Sequence, residues 1–189
     1  MIELSLHILD LAQNAVEAGA SKIQIRIDED LKADVLLIEV IDNGRGLSED
    51  QRARVLDPFY TTRKTRHIGL GLPLLLEVSR LCEGKLEIRS KLGMGTTIQA
   101  TFRHSHIDRA PLGDMPSVLL ALFLSEHQVD WLYVHRVNGE EFRLDSSEIR
   151  KELPDVPLTH PKVRNWLLDF LQEGENSLSW KAVPMRATA

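Results

Sequence analysis

The chain has 189 residues, 43% hydrophobic and 27% charged, which suits one medium domain or a core domain with a smaller appendage and excludes a disordered or fibrous chain. Its single cysteine, Cys82, rules out a disulfide framework and a cysteine-based zinc site and fits a reducing, cytoplasmic setting; the apolar stretches are too short to span a membrane, and no basic secretory start is present. A formal net charge of -5 argues against a broad grip on nucleic acid, and the acidic excess falls late, 15 acidic to 14 basic residues over 1–103 against 13 to 9 over 104–189.

In chain order, Leu4, Ile8, Leu11, Ala15 and Ala18 recur at helical spacing and predict an amphipathic helix that stops at Gly19. Glu3, His7, Asp10, Asn14 and Glu17 form a second, polar stripe on it. Ile23, Ile25 and Ile27 alternate as a half-buried strand, and the apolar run 35–41 predicts a central strand. A loop, Asp42-Asn43-Gly44-Arg45-Gly46, leads to a short helix over 48–55 with Ser48 as its N-cap and Asp50 or Gln51 in the first turn. After an irregular stretch to about residue 68, residues 69–82 read as a helix stopped by Gly84. Strands follow over 85–90 and 96–103, joined by the turn at Gly93 and Gly95.

A polar linker containing Pro111 closes the first unit, set at residues 1–103, with 104–115 as linker. Beyond it the pattern predicts a small α+β extension over 116–175 and a frayed tail over 176–189. Its parts are a helix over 116–125, a hairpin across Asn138-Gly139, and helices over 147–153 and 160–173. Trp131, Tyr133, Phe142, Trp166 and Phe170 have core spacing. His104, His106, His127, His135 and His160 lack the paired spacing of a zinc site and read as scattered surface or linker residues.

Three glycine-bearing loops, at 42–46, 69–71 and 93–95, each end an apolar element, and each alone is weak evidence. Their order is specific. A helix with Asp10 and Asn14, then Asp42-x-Gly44-x-Gly46, then Phe59 with a basic stretch, Gly69-x-Gly71 and Gly93-x-Gly95-Thr96 resembles the GHKL (Bergerat-fold) ATPase superfamily over about residues 5–102. The run from Asp57 to Lys64 and the following Gly69-Leu70-Gly71-Leu72 resemble its histidine-kinase branch, whereas Asn14 to Ser21 resembles the helix end of MutL. The resemblance implies an α+β, two-layer sandwich with a mixed sheet and helices on one face, and a site for ATP or ADP with Mg2+.

On that resemblance Asp42 accepts the exocyclic amine of adenine, while Gly44 and Gly46 let the backbone approach the base; an ordinary Asp-Asn-Gly turn leaves the second glycine unexplained. Asn14 is assigned to magnesium. Asp10 stands where hydrolysing relatives carry Glu as the base for water. One methylene less sets its carboxylate about 1.5 Å back, a displacement worth about a hundredfold in rate. Phe59 and Thr62 fall in a short lid. Lys64 and Arg66 suit the β- and γ-phosphates, although three basic residues, Arg63 included, also make a solvated loop. The N–H groups of Gly69, Leu70 and Gly71 suit phosphate oxygens, His67 replaces a glycine common in kinases, and Thr96 supports the adenine pocket or simply starts a strand. His7 either assists Asp10, accepts a phosphoryl group or, as is commoner for such a histidine, is an ordinary partly exposed side chain.

The sequence ahead of Asp10 is expected to hold neither sensor nor phosphoacceptor hairpin, nor the usual first strand. Three functions follow: a stand-alone kinase or regulatory ATPase acting with a partner protein, a MutL-like ATP-driven dimerisation switch, and a non-catalytic, anti-sigma-like nucleotide sensor. Neither nucleic acid nor membrane is an expected partner; a homodimer is compatible.

Overall fold

A computed structural model describes residues 3–57, 71–125 and 129–182, with side chains up to residue 178. Helix α1 (Leu4–Glu17) buries Leu4, Ile8, Leu11 and Ala15 on one stripe, as the spacing predicts. It ends in a Schellman closure: Gly19, at φ 77°, donates its N–H to the Val16 carbonyl and Ala20 donates to Ala15. At the other end, the N–H groups of Leu4 and Ser5 donate to the carbonyls of Pro111 and Leu112. The segment read as a linker therefore satisfies orphan donors at the start of α1.

Six strands form one sheet: β1 (Lys22–Asp30), β2 (Val35–Asp42), β3 (Lys85–Ser90), β4 (Thr96–Arg103), β5 (Asp130–Val137) and β6 (Glu140–Asp145). Their order is β3-β4-β2-β1-β5-β6, and only β1 and β5 pair in parallel. Register brings one row of side chains, Ile88, Ile98, Val40, Ile25, Tyr133 and Leu144, across the sheet on the same face. These residues and their neighbours Ile23, Ile27, Leu36, Ile38, Ala100 and Phe102 share one core with helices α1, α3 (Gly71–Leu81), α4 (Met115–Phe123) and α6 (Pro161–Ala182). The alternate residues Gln24, Arg26 and Asp28 stay half-exposed. The result is an α+β fold with a mixed sheet and helices on one face.

Two short helices mark strand ends. In α2 (Glu49–Arg54) the Ser48 Oγ accepts the Gln51 N–H and the Gln51 side chain accepts the Ser48 N–H, a full capping box. In α5 (Ser146–Glu152) the Asp145 carboxylate accepts the Ser147 N–H. The β5–β6 turn has φ 51° at Asn138 and 91° at Gly139, the positive pair a two-residue hairpin asks for.

Four differences from the sequence reading have physical causes. Residues 130–145 join the same sheet through β1, so the extension shares sheet and core with the rest of the chain. The left-handed residue after α3 is Glu83, at φ 56°; Gly84 is needed because a Cβ there would meet the Thr101 carbonyl. Trp166 is 47% exposed, stacked on Phe170 rather than enclosed in the core. Of the frayed tail predicted over 176–189, residues 176–182 are instead helical, since α6 runs through Gly174 to Ala182; the rest lies outside the described residues. Gly174 lies inside the helix because the Phe142 ring packs where its Cβ would stand. Among the described residues, no helix is long and apolar enough to cross a membrane.

This packing gives a test whose sign decides. An exposed helical Gly changed to Ala gains about 1 kcal/mol, whereas Gly174→Ala is expected to lose about 1–3 kcal/mol by overpacking Phe142. Thermal unfolding of the two proteins checks it; a raised midpoint would contradict the contact.

Candidate functional site

The loop after β2 is built around Asp42. The register sets Asp42 opposite Thr96, the first residue of β4. Its Oδ1 accepts the Gly44 N–H at 2.8 Å, and the Thr96 backbone N–H also donates to the carboxylate. Burial outweighs these two bonds and pushes the Asp42 carboxyl above the usual range. Asn43 anchors the loop, its Oδ1 accepting the N–H groups of Ser21 and Lys22 at 2.9 Å each.

Gly46 and Gly95 interlock two loops. A Cβ on Gly46, at φ 66°, would meet the Lys91 carbonyl, and one on Gly95, at φ 84°, would meet the Asp42 carbonyl. The Gly93 N–H donates to the Arg45 carbonyl at 2.7 Å, and Ser90 Oγ joins Leu47 N–H, Gly95 carbonyl and Thr96 Oγ1. The second glycine of the Asp-x-Gly-x-Gly run is thus explained by backbone packing against the β3–β4 turn. Gly44 faces α1: its Cβ would come to 3.0 Å from both Ala18 Cβ and Asp42 Oδ1.

Across from this floor runs the polar stripe of α1. Asn14 Nδ2 donates to Asp10 Oδ2 at 3.4 Å, one turn apart. The Asp10 carboxylate lies against Gly71, the first residue of α3, in the space a Cβ would take. Asp10, Asn14, Asp42, Gly46, Gly71 and Thr96 line one cavity of about 160 Å³. Ala15, Ala18, Val40, Leu47, Val55, Leu72 and Ile98 supply apolar walls, and Glu17 and Arg45 reach its rim. These walls were not singled out from sequence, because apolar core and apolar pocket share one periodicity. Apolar walls around the half-buried Asp42 carboxylate fit a base bearing one exocyclic donor.

Phe59, Thr62, Lys64, Arg66, Gly69 and Leu70 lie outside the described residues, as do His67 and His127. His7 is 3% exposed, not partly exposed, and its Nδ1 has no hydrogen-bond partner among the described residues. Burial lowers its pKa against the pull of Asp10, so the enclosed imidazole favours its neutral form. Among the described residues no three His, Cys, Asp or Glu side chains gather as a metal cage. The amide oxygen of Asn14, beside Asp10, fits Mg2+, which is commonly held by one or two protein oxygens together with phosphates and water.

Residues 2–106 match the family described as histidine kinase-, DNA gyrase B-, and HSP90-like ATPase. The sensor protein kinase FleS of Pseudomonas aeruginosa is 38% identical over 105 residues, covering 56% of this chain and 25% of that protein. The alginate biosynthesis sensor protein KinB of Pseudomonas aeruginosa is 34% identical over 95 residues, covering 50% of this chain and 16% of KinB. Sporulation kinase C of Bacillus subtilis is 30% identical over 97 residues, covering 51% and 22%. The chain thus spans a quarter or less of the length of these curated relatives. In fold it is similar to the N-terminal domain of a DNA repair protein, with TM-score 0.51 and 15% identity over 77% of this chain and 53% of that one.

The raised Asp42 carboxyl has a consequence for stability. A folded-state pKa above the unfolded value means that the ionised form disfavours folding, so this cost disappears as pH falls through the folded value. Asp42→Asn removes the buried charge and is expected to raise the melting temperature of the ligand-free protein at pH 7, by about 2–4 °C for each kcal/mol relieved. Differential scanning calorimetry reads this directly, and a fall in the midpoint would show that the carboxylate stabilises the loop.

Proposed function

The chain belongs to the histidine kinase-, DNA gyrase B-, and HSP90-like ATPase family, and from that premise we propose that it binds ATP with Mg2+ in the cavity between α1 and the loop after β2. The observation that carries the reading is Asp42: a half-buried carboxylate, fixed by two backbone N–H groups at the floor of an apolar cavity. Such a group accepts a hydrogen bond from an adenine amine and rejects a base presenting a carbonyl there.

Each remaining residue has a role in that reading. Gly46 lines the cavity with its backbone, locked there against the Lys91 carbonyl, Gly44 seats the loop on Ala18, and Thr96 holds Asp42 from the neighbouring strand. Asn14 contributes an oxygen to Mg2+, whose charge, when the ion is bound, offsets that of the phosphates. Asp10, beside Asn14 and the start of α3, orients water and accepts its proton. The Gly71 N–H, with those of Gly69 and Leu70, suits phosphate oxygens at the N-terminus of α3, Lys64 and Arg66 neutralise phosphate, and Phe59 and Thr62 belong to the lid. The chain acts as a kinase or regulatory ATPase together with a partner protein, the histidine-kinase relatives favouring phosphotransfer.

Calorimetric titration with ATP and Mg2+ tests the base assignment. Asp42→Asn is expected to weaken binding about tenfold to a hundredfold, the loss of one charge-assisted hydrogen bond; unchanged affinity would remove Asp42 from the site. Asn14→Ala is expected to abolish the dependence of affinity on Mg2+, and a variant that retained it would rule out the metal role. With γ-labelled ATP, label on a partner protein identifies a kinase and released phosphate identifies an ATPase switch. Binding with neither identifies a nucleotide sensor.

A further inference from the structure

Far from the cavity, at the opposite end of β1, five side chains from four segments meet inside the protein. His135 on β5 is 3% exposed. Its Nδ1–H donates to Glu175 Oε2 on α6 at 2.9 Å, and its Nε2–H donates to Glu29 Oε1 on β1 at 3.0 Å. Glu29 Oε2 also accepts from His104 Nε2 at 2.6 Å, and Glu175 Oε1 accepts from the Tyr133 hydroxyl at 2.8 Å. From the remaining neighbours, Arg109 donates to the backbone carbonyl of His104, β6 presents Phe142, and α4 carries no charged residue. One imidazolium therefore stands between two carboxylates, one on the sheet and one on α6.

We propose that Glu29, His135 and Glu175 form a proton-dependent clasp that fastens the C-terminal half of α6 to the sheet, so that this half of the helix detaches as an arm when the imidazolium is lost. The electrostatic logic is direct. A protonated His135 donates to both carboxylates, whereas a neutral one donates to one only and leaves Glu29 and Glu175 as like charges held close in a dry environment. Detachment uncovers the buried Leu178 of α6 and releases the Tyr133 hydroxyl from Glu175.

The protonation range agrees with the geometry. Burial drives His135 down, but the bonds and charges of Glu175 and Glu29 outweigh it and hold its pKa up at about 9. For Glu29, burial is outweighed by the bonds from His135 and His104, leaving its carboxyl below the usual range. A histidine raised in the folded state contributes stability that is complete below its unfolded value of about 6.5 and is lost as pH rises through about 9. The clasp is therefore shut at neutral pH and opens at alkaline pH. The inference does not depend on nucleotide binding.

The test is hydrogen exchange at pH 7 on the full chain, comparing amides of α6 with those of β2. His135→Gln is expected to speed exchange at the C-terminal half of α6 at least about tenfold while β2 stays protected, and the double variant His135→Gln/Glu175→Gln is expected to return α6 to near the wild-type rate by removing the repulsion. Unchanged exchange in the single variant, equal loss in α6 and β2, or a double variant as loose as the single would each overturn the clasp. A wild-type titration needs no variant. Tryptophan emission is expected to change with a midpoint near pH 9 while the far-ultraviolet circular dichroism of the sheet persists. A flat signal to pH 10, or a midpoint shared with global unfolding, would refute it.

Discussion

The closeness of two backbones organises the candidate site. Where the loop after β2 meets the β3–β4 turn, Gly46 and Gly95 leave no space for a Cβ, each lying against a carbonyl of the opposing chain. That contact fixes Asp42: its own carbonyl is the surface Gly95 rests on, and its carboxylate is held by Gly44 and by Thr96, the residue that follows Gly95. The loops are tied again by Arg45 to Gly93 and by Ser90 to Leu47. A carboxylate held this way keeps its position despite being partly desolvated, which is the condition for recognising a base by a single hydrogen bond rather than by charge.

Much of this was legible in the sequence because the signals were local. The isoleucines of β1, the Ser48–Gln51 box and the Asn138-Gly139 turn each encode their structure within a few residues, and each forms as read. The Asp-x-Gly-x-Gly run was legible as a loop for the same reason. Its second glycine was not, since the atom that demands it, the Lys91 carbonyl, belongs to another loop. Gly174 misled in the opposite sense: a glycine near a helix end usually stops it, and only the Phe142 ring, reached through the fold, explains a glycine inside α6. The histidines were read as scattered because Glu29, His104, His135 and Glu175 are distant in the chain and converge only once β5 lies beside β1.

The same distance explains the misplaced frayed tail. Beyond residue 173 polar, small and apolar residues are mixed, and from sequence alone nothing asks the segment to be ordered. In the fold Leu178 is buried and Glu175 bonds two side chains of β5, so a weakly amphipathic segment is kept helical by what it touches rather than by its own propensity. His7 illustrates a subtler limit: it lies on the polar stripe, but α1 packs against both α3 and α4, and this one member of the stripe is enclosed while Asp10 and Asn14 stay half-buried.

The parallel pairing of β1 with β5 also determines the order in which the molecule can be completed. Strand β1 finds β2 across a short turn, whereas its other edge waits for residues 130–137, synthesised long after. Contacts of such long sequence separation carry a large loop-closure cost and form late. Until they form, the nascent chain presents an interior strand as an unprotected edge bearing alternating isoleucines, the kind of surface that pairs with other chains. A polypeptide cut at the end of the matched region, near residue 106, would keep every residue of the candidate cavity and lose the strand that shields it from aggregation.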